Sequence, residues 1–296
     1  MGALPLGYYM QPLYRQFRTQ EQIDAEYDVE KSVPDFMIYA KHYVEASEAL
    51  RNSVDAQLDV AYGPTLDETL DIFPAEQPDA PVFVFIHGGA WRILSSKEFS
   101  TVANGMRARG ITTVVVNYAL CPKVSIDEIT RQSRAAVAWV LRNIARYGGD
   151  PQRVVLGGHS AGGHLTAMCL QTDWEGEYGL PKDPLAGAVV VSGVFEIEPF
   201  RWSSIQPMLQ IDDGAIRRNT PLHSVRRCAT PLLVSWGSEE PAEFERQSLA
   251  FVQAWSDAGN RAQMLPQEGR NHFDAIYGFE KAGHPLTEWI VNVTRI

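Results

Sequence analysis

Ser160 lies in Gly158-His159-Ser160-Ala161-Gly162, directly after the apolar run Val154-Val155-Leu156 and directly before a helix-like stretch over 164–170. A Gly-x-Ser-x-Gly sequence between a strand and a helix is a nucleophile elbow: the sharp turn lifts the hydroxyl off the sheet. There a base can take its proton and an acyl carbon can reach it. Glycines two residues either side let the strand and helix approach closely. The pentapeptide alone reads more readily as a Gly/Ser-rich loop. Its flanking elements decide for the nucleophile.

A serine hydroxyl needs a base, and the base a third group to orient it. Seven histidines are present. The chain order serine, acid, histidine sets aside His42 and His87. His159 and His164 are too close to Ser160 in sequence to fold back over it, and His223 precedes the last-but-one strand. His272 falls in Gly269-Arg270-Asn271-His272-Phe273-Asp274, just past a strand expected at 262–265. It is the expected base, with His284 as the alternative beside the C-terminal helix. Asp274 follows the histidine and reads as structural. The acid should follow the strand at 232–236, where Gly237-Ser238-Glu239-Glu240-Pro241 offers Glu239 and Glu240. Acidic residues before a helix also complement its dipole, and spacing alone leaves both open. Upstream, His87-Gly88-Gly89-Ala90-Trp91 follows the strand at 82–86. The Gly88 and Gly89 N–H groups, with that of Ala161, could bind an oxyanion. His87 would brace that loop.

The elements that must position these groups alternate along the chain. Strands are expected at 57–62, 68–73, 82–86, 112–117, 154–156, 188–191, 232–236 and 262–265, with helices at 126–144 and 242–258. Continuous apolar strands separated by helices indicate an α/β fold with a mostly parallel sheet covered on both faces. Residues 1–55 read as an N-terminal helical extension packed on the main domain, and 56–296 as the catalytic domain. Residues 196–227 have no clean period and follow a strand, the place for a cap or pocket wall.

Composition bounds the rest. The chain has 296 residues, 45% of them hydrophobic, and a net charge of −10. Without a Lys/Arg block, nucleic acid is not an expected partner. The acidic balance disfavours highly anionic substrates at long range. Cys121, Cys169 and Cys228 are few and far apart, suggesting free thiols in a reducing cytoplasm rather than a disulfide or zinc framework. No apolar run approaches the roughly 18 residues of a membrane span, so no membrane partner is expected. Residues 1–10 lack a basic n-region and cleavage site.

Several motifs together resemble the kynurenine formamidase (arylformamidase) branch of the α/β-hydrolase fold. They are His87-Gly88-Gly89-Ala90-Trp91, the elbow extended through Gly163-His164-Leu165, 191–199, Glu243-Phe244-Glu245-Arg246-Gln247-Ser248 and Asn271-His272-Phe273. The resemblance runs from about residue 80 to 280. It implies a serine hydrolase cleaving N-formylkynurenine or simple aryl esters through an acyl-enzyme, with no cofactor and no metal. A carboxylesterase on aryl or short-chain esters is the alternative. An inactive binding protein on the same scaffold is a further one. The family's nucleophile falls on Ser160, its base on His272, and its oxyanion glycines on Gly88 and Gly89. Its aspartate column holds Glu240 here. That departure calls for a slightly retracted backbone and keeps Glu239 in reserve. A second departure lies at 117–122, where the loop bears on pocket shape. Trp91, Tyr118, His159, Phe195 and Trp202 are the expected pocket residues. The expected partner is a small-molecule acyl substrate, and a homodimer is compatible with the chain.

Overall fold

A computed structural model describes residues 11–295. Eight strands form one sheet: β1 (Gln57–Ala61), β2 (Thr69–Phe73), β3 (Ala80–Ile86), β4 (Thr112–Val116), β5 (Gly149–His159), β6 (Gly187–Val191), β7 (Leu232–Gly237) and β8 (Ala262–Gln267). Their order is β1-β2-β4-β3-β5-β6-β7-β8. β1 and β2 are antiparallel and β2 pairs antiparallel with β4, whereas all pairs from β4 to β8 are parallel. The mostly parallel sheet is the expected one. β5 alone starts well ahead of its expected position: Gly148 ends the preceding turn in the left-handed region (φ 77°) and lets the chain enter the strand at Gly149.

β3 shows why the strands carry unbroken apolar runs. Val82, Val84 and Ile86 enter a core on one face of the sheet, and Phe83 and Phe85 enter a second core on the other. All five are fully buried. Each such side chain stabilises the fold by roughly 1.5–3 kcal/mol. A polar residue at any of them would leave a group with no water and no partner.

The strand order reverses between β3 and β5. β4 leads away on one side and β6 to β8 on the other. Loops leaving the carboxyl ends of strands at such a point diverge and leave a crevice, where open α/β sheets bind ligands. The β3 loop carries Gly88 and Gly89, and the β5 loop carries Ser160.

The expected N-terminal extension begins at residue 1, and residues 1–10 lie outside the described residues. Its remainder forms α1 (Gln20–Tyr27), capped by Thr19, and α2 (Phe36–Ser53), capped by Asp35. α2 is fastened to the main body through buried Tyr43 and through Ser47, whose hydroxyl donates to the Glu98 carbonyl at 2.9 Å. The segment 196–227 folds as four short helical turns, Glu198–Trp202, Gln206–Leu209, Asp213–Arg218 and Pro221–His223. No helix among the described residues is long and apolar enough to cross a membrane.

Candidate active site

Ser160 has φ 55° and ψ −119°, a conformation costly for any residue with a Cβ. Two anchors hold it there. Its N–H donates to the Val191 carbonyl at 3.0 Å, and its carbonyl starts the helix Ala161–Leu170 by accepting the His164 N–H at 3.1 Å. Gly162 is required by close approach: a Cβ there would lie 2.0 Å from the Ile86 carbonyl oxygen. The elbow is therefore pressed against the end of β3.

The loops after β7 and β8 bring in the other two groups. The His272 Nδ1–H donates to Glu240 Oε2 at 2.9 Å, with the two side chains only 2% and 1% exposed. Glu240 Oε1 accepts the Gly237 N–H at 2.7 Å and the Ser192 hydroxyl at 2.5 Å. With three donors the buried carboxylate is fully satisfied, as a buried charge must be. The pairing fixes the tautomer of His272 and leaves its Nε2 lone pair free to act as a base. Glu239, the reserve acid, is exposed, and its N–H is tied to the Arg270 carbonyl at 2.9 Å. Asp274 accepts the Asn271 N–H and pairs with Arg270, so it braces the His272 loop. His284 caps the helix Pro285–Val293 by accepting the Leu286 N–H.

His159 is buried beside the base. Its Nε2–H donates to the His272 carbonyl at 2.8 Å, with ring centroids 4.6 Å apart. Burial, reinforced by the charge His272 can carry, pushes the His159 pKa well below the ordinary histidine value. It holds the backbone of the base and stays neutral.

The β3 loop runs through positive φ at Gly89 (111°), Ala90 (49°) and Trp91 (56°), which is strained for the two residues that carry a Cβ. A side chain at Gly89 is excluded, since its Cβ would sit 2.1 Å from the Ile93 carbonyl oxygen. Strain of this size, roughly 1–3 kcal/mol per residue, persists only where the surroundings over-determine it. Here the Trp91 indole N–H donates to His164 Nδ1 at 3.2 Å, and His164 Nε2–H donates to the Asn219 carbonyl at 2.7 Å. Asn219 is held in turn by Thr130 and Asp127. This latch ties the loop after β3 to the 196–227 segment. His87 stacks on Tyr118 (4.2 Å) and donates from Nδ1 to the Gly88 carbonyl at 2.7 Å, bracing the loop as expected. Burial pushes the pKa of both His87 and His164 down to about 4.

Ser160, His159, His272, Ala161, Gly89 and Ala90 line one cavity of about 240 Å³. Gly88 is not among the lining residues. Its carbonyl is taken by His87, and it packs against Ser160, a Cβ at Gly88 falling 3.2 Å from Ser160 Cβ. Gly89 and Ala90 line the cavity beside it. Three further expectations are corrected. Tyr118 lies behind the loop, stacked on His87 and donating to its carbonyl. Phe195 is stacked on Phe251 (4.2 Å) in the core. Trp202 packs under the N-terminal segment with Tyr14, Phe17 and Ile23, with Arg201 over its ring. Trp91 and His159 do line the cavity.

Most of the wall carries no signal in the sequence. Phe200, Phe244 and Phe273 contribute from the main body, and Tyr27, Phe36 and Tyr43 from the N-terminal segment. Tyr27 donates to Glu243 at 2.8 Å and accepts from Gln247 at 2.7 Å. Tyr39 accepts from Asn271 at 2.7 Å, and the Tyr43 hydroxyl donates to the Phe273 carbonyl, so α2 grips the loop bearing His272. Phe244 and Phe273 are the exceptions, visible through their motifs. For Tyr27, Phe36 and Tyr43 no local pattern separates a cavity wall from an ordinary amphipathic helix.

Comparison with known proteins agrees with this geometry. A model described as BD-FAE matches residues 70–179, and one described as the prolyl oligopeptidase family matches 130–294. The kynurenine formamidase of Danio rerio is 28% identical over 254 residues, 83% of this chain and 85% of that protein. Esterase LipQ of Mycobacterium tuberculosis is 29% identical over 228 residues, 68% of this chain and 53% of that protein. A solved structure from Silicibacter sp. TM1040, described as a candidate thioesterase, superposes with a TM-score of 0.80 at 27% identity. It covers 91% of this chain and 98% of its own. The α/β-hydrolase fold, the likeness to the formamidase branch and the assignment as a serine hydrolase of formamidase or carboxylesterase type are thereby borne out. The second model spans more than half of the sequence, and the chain belongs to the prolyl oligopeptidase family of serine hydrolases.

Proposed function

We propose that the protein is an arylformamidase acting on N-formylkynurenine-type substrates through a formyl-enzyme. The observation that carries this reading is the cavity itself. It is small, walled by aromatic rings from both the main body and the N-terminal segment, and it opens on Ser160 beside a histidine bound to a buried carboxylate. A planar aryl amide fits such walls, and the formyl group is the smallest acyl group. The likeness to the Danio rerio kynurenine formamidase along most of both chains supports the same substrate class.

In this mechanism His272 Nε2 takes the Ser160 proton as the oxygen attacks the formyl carbon. Glu240 steadies the imidazolium by charge and by the Nδ1 hydrogen bond. The N–H groups of Gly89, Ala90 and Ala161 receive the oxyanion. Each such donor is worth about 10²–10³ in kcat. His272 then returns the proton to the leaving aryl amine. Water attacks the formyl ester, giving its proton to His272, and formate leaves as Ser160 is regenerated. Buried, unpaired Cys121, Cys169 and Cys228 support a reducing, cytoplasmic setting.

Steady-state kinetics on N-formylkynurenine and p-nitrophenyl acetate test the assignment. The formamide should have the higher kcat/KM. Negligible turnover of it beside rapid ester cleavage would replace the formamidase by a carboxylesterase. Loss of fluorophosphonate labelling in Ser160→Ala should accompany loss of both activities.

A further inference from the structure

Arg92 follows Trp91 in the strained loop and lines the Ser160 cavity. Among the described residues lining that cavity it is the one lysine or arginine. Its Nε is buried without a hydrogen-bond partner, and no carboxylate among the described residues pairs with its guanidinium. Three acids share the cavity: Asp24, Asp28 and Glu30. Two of them are otherwise engaged. Asp24 accepts the Ser204 N–H at 2.8 Å, and Asp28 pairs with Lys31 at 2.6 Å. None of the three forms an ion pair with Arg92, whose loop neighbours Trp91, Ile93 and Leu94 line the same cavity.

A partly buried arginine without a counter-charge is costly unless something else supplies the missing partner. In a chain of net charge −10 it cannot act by attracting anions from a distance. Its effect is local, where apolar walls strengthen a charge-assisted pair. The loop also sets its position. The Arg92 N–H donates to the Gly89 carbonyl at 3.0 Å, so the turn at Gly89 and Ala90 also places Arg92. A planar guanidinium suits one ligand chemistry above others, the bidentate carboxylate.

We propose that Arg92 binds a carboxylate carried by the substrate, making this a hydrolase for anionic aryl amides and esters rather than neutral ones. The proposal rests on the Ser160 cavity being the acyl-transfer site. It does not depend on whether the acyl group is formyl or acetyl.

The test uses 3-carboxyphenyl acetate and its neutral counterpart, 3-carbamoylphenyl acetate, alike in size and reactivity. The unaltered protein should prefer the carboxylate by about tenfold to a hundredfold in kcat/KM, the range of one charged hydrogen-bonded contact. The preference should weaken as salt is raised. Arg92→Gln should collapse this ratio towards one, mainly through KM, and Arg92→Lys should retain part of it. A ratio at or below one in the unaltered protein, or a ratio unchanged in Arg92→Gln, would overturn the proposal. Calorimetry of benzoate against benzamide on the unaltered protein probes the same contact without turnover or a folded variant: tighter benzoate binding supports the site, and equal binding sinks it. Failure of the formamidase reading looks different, since the formyl substrate is then rejected while the carboxylate preference among esters persists.

Discussion

On one side of the Ser160 cavity the reactive groups ride on loops that leave adjacent parallel strands. Gly89 follows β3, Ser160 follows β5, Ser192 follows β6, Glu240 follows β7 and His272 follows β8. On the other side the wall comes from 24–43 and 194–205, which reach the cavity from helices and turns outside the sheet. The first side is held by buried bonds between the ends of neighbouring strands: Glu240 accepts from Gly237 three residues away and from Ser192 at the end of the adjacent strand. The second side is held by bonds between distant parts of the chain, such as Tyr27 to Glu243 and Tyr39 to Asn271. Chemistry is thus placed by the sheet, and the shape offered to a substrate is placed by segments packed over it.

That division is open to experiment, and the largest expected effect is on the sheet-borne side. Glu240→Gln removes the charge that stabilises the imidazolium, and kcat on p-nitrophenyl acetate should fall by about 10³–10⁴. Glu239→Gln, one residue away and exposed, should stay within about twofold. Comparable losses in both would erase the distinction between the two glutamates.

A smaller effect concerns the histidines that brace the strained loop. His87 and His164 are held neutral, with folded pKa near 4 against an ordinary 6.5. As pH falls the unfolded chain takes up these protons first. The stabilisation is therefore complete above about pH 6.5 and is lost towards pH 4, on the order of 2 kcal/mol per histidine at pH 5. Urea unfolding at pH 8 and pH 5 should show at least that loss, and equal midpoints would mean these rings do not hold the loop.

The smallest effect belongs to the substrate-facing wall. Tyr27→Phe deletes the hydroxyl between Glu243 and Gln247 and should cost about 1 kcal/mol. KM should rise a few-fold while kcat stays within about twofold. A kcat loss rivalling that of Glu240→Gln would show that the N-terminal segment acts in the chemistry and not only on the pocket.

How far the site is legible in the residues alone follows the same line. Ser160, the β3 glycines and His272 announce themselves because an elbow, an oxyanion loop and a post-strand histidine each need particular residue types at short spacing. Spacing points to Gly88, whereas Gly89 and Ala90 line the cavity, since that depends on where the loop turns, and the positive φ values at 89–91 set the turn. Tyr118, Phe195 and Trp202 fail as pocket residues for one shared reason. An aromatic ring fills core space as readily as a pocket, and its surroundings come from elsewhere in the chain.

The sequence by itself determined the alternation of apolar strands with helices, the strand–turn–helix elbow at Ser160 and the place of His272 on the loop after the last strand. These rest on local periodicity and on short motifs whose geometry is made within a few residues. Spacing leaves Glu239 and Glu240 open and the resemblance favours Glu240; tertiary structure decided that Glu240 meets His272, because Gly237 and Ser192 converge on one carboxylate and leave the other in water. It also decided that Tyr27, Phe36 and Tyr43 close the cavity, since packing between segments more than 100 residues apart leaves no local trace in either.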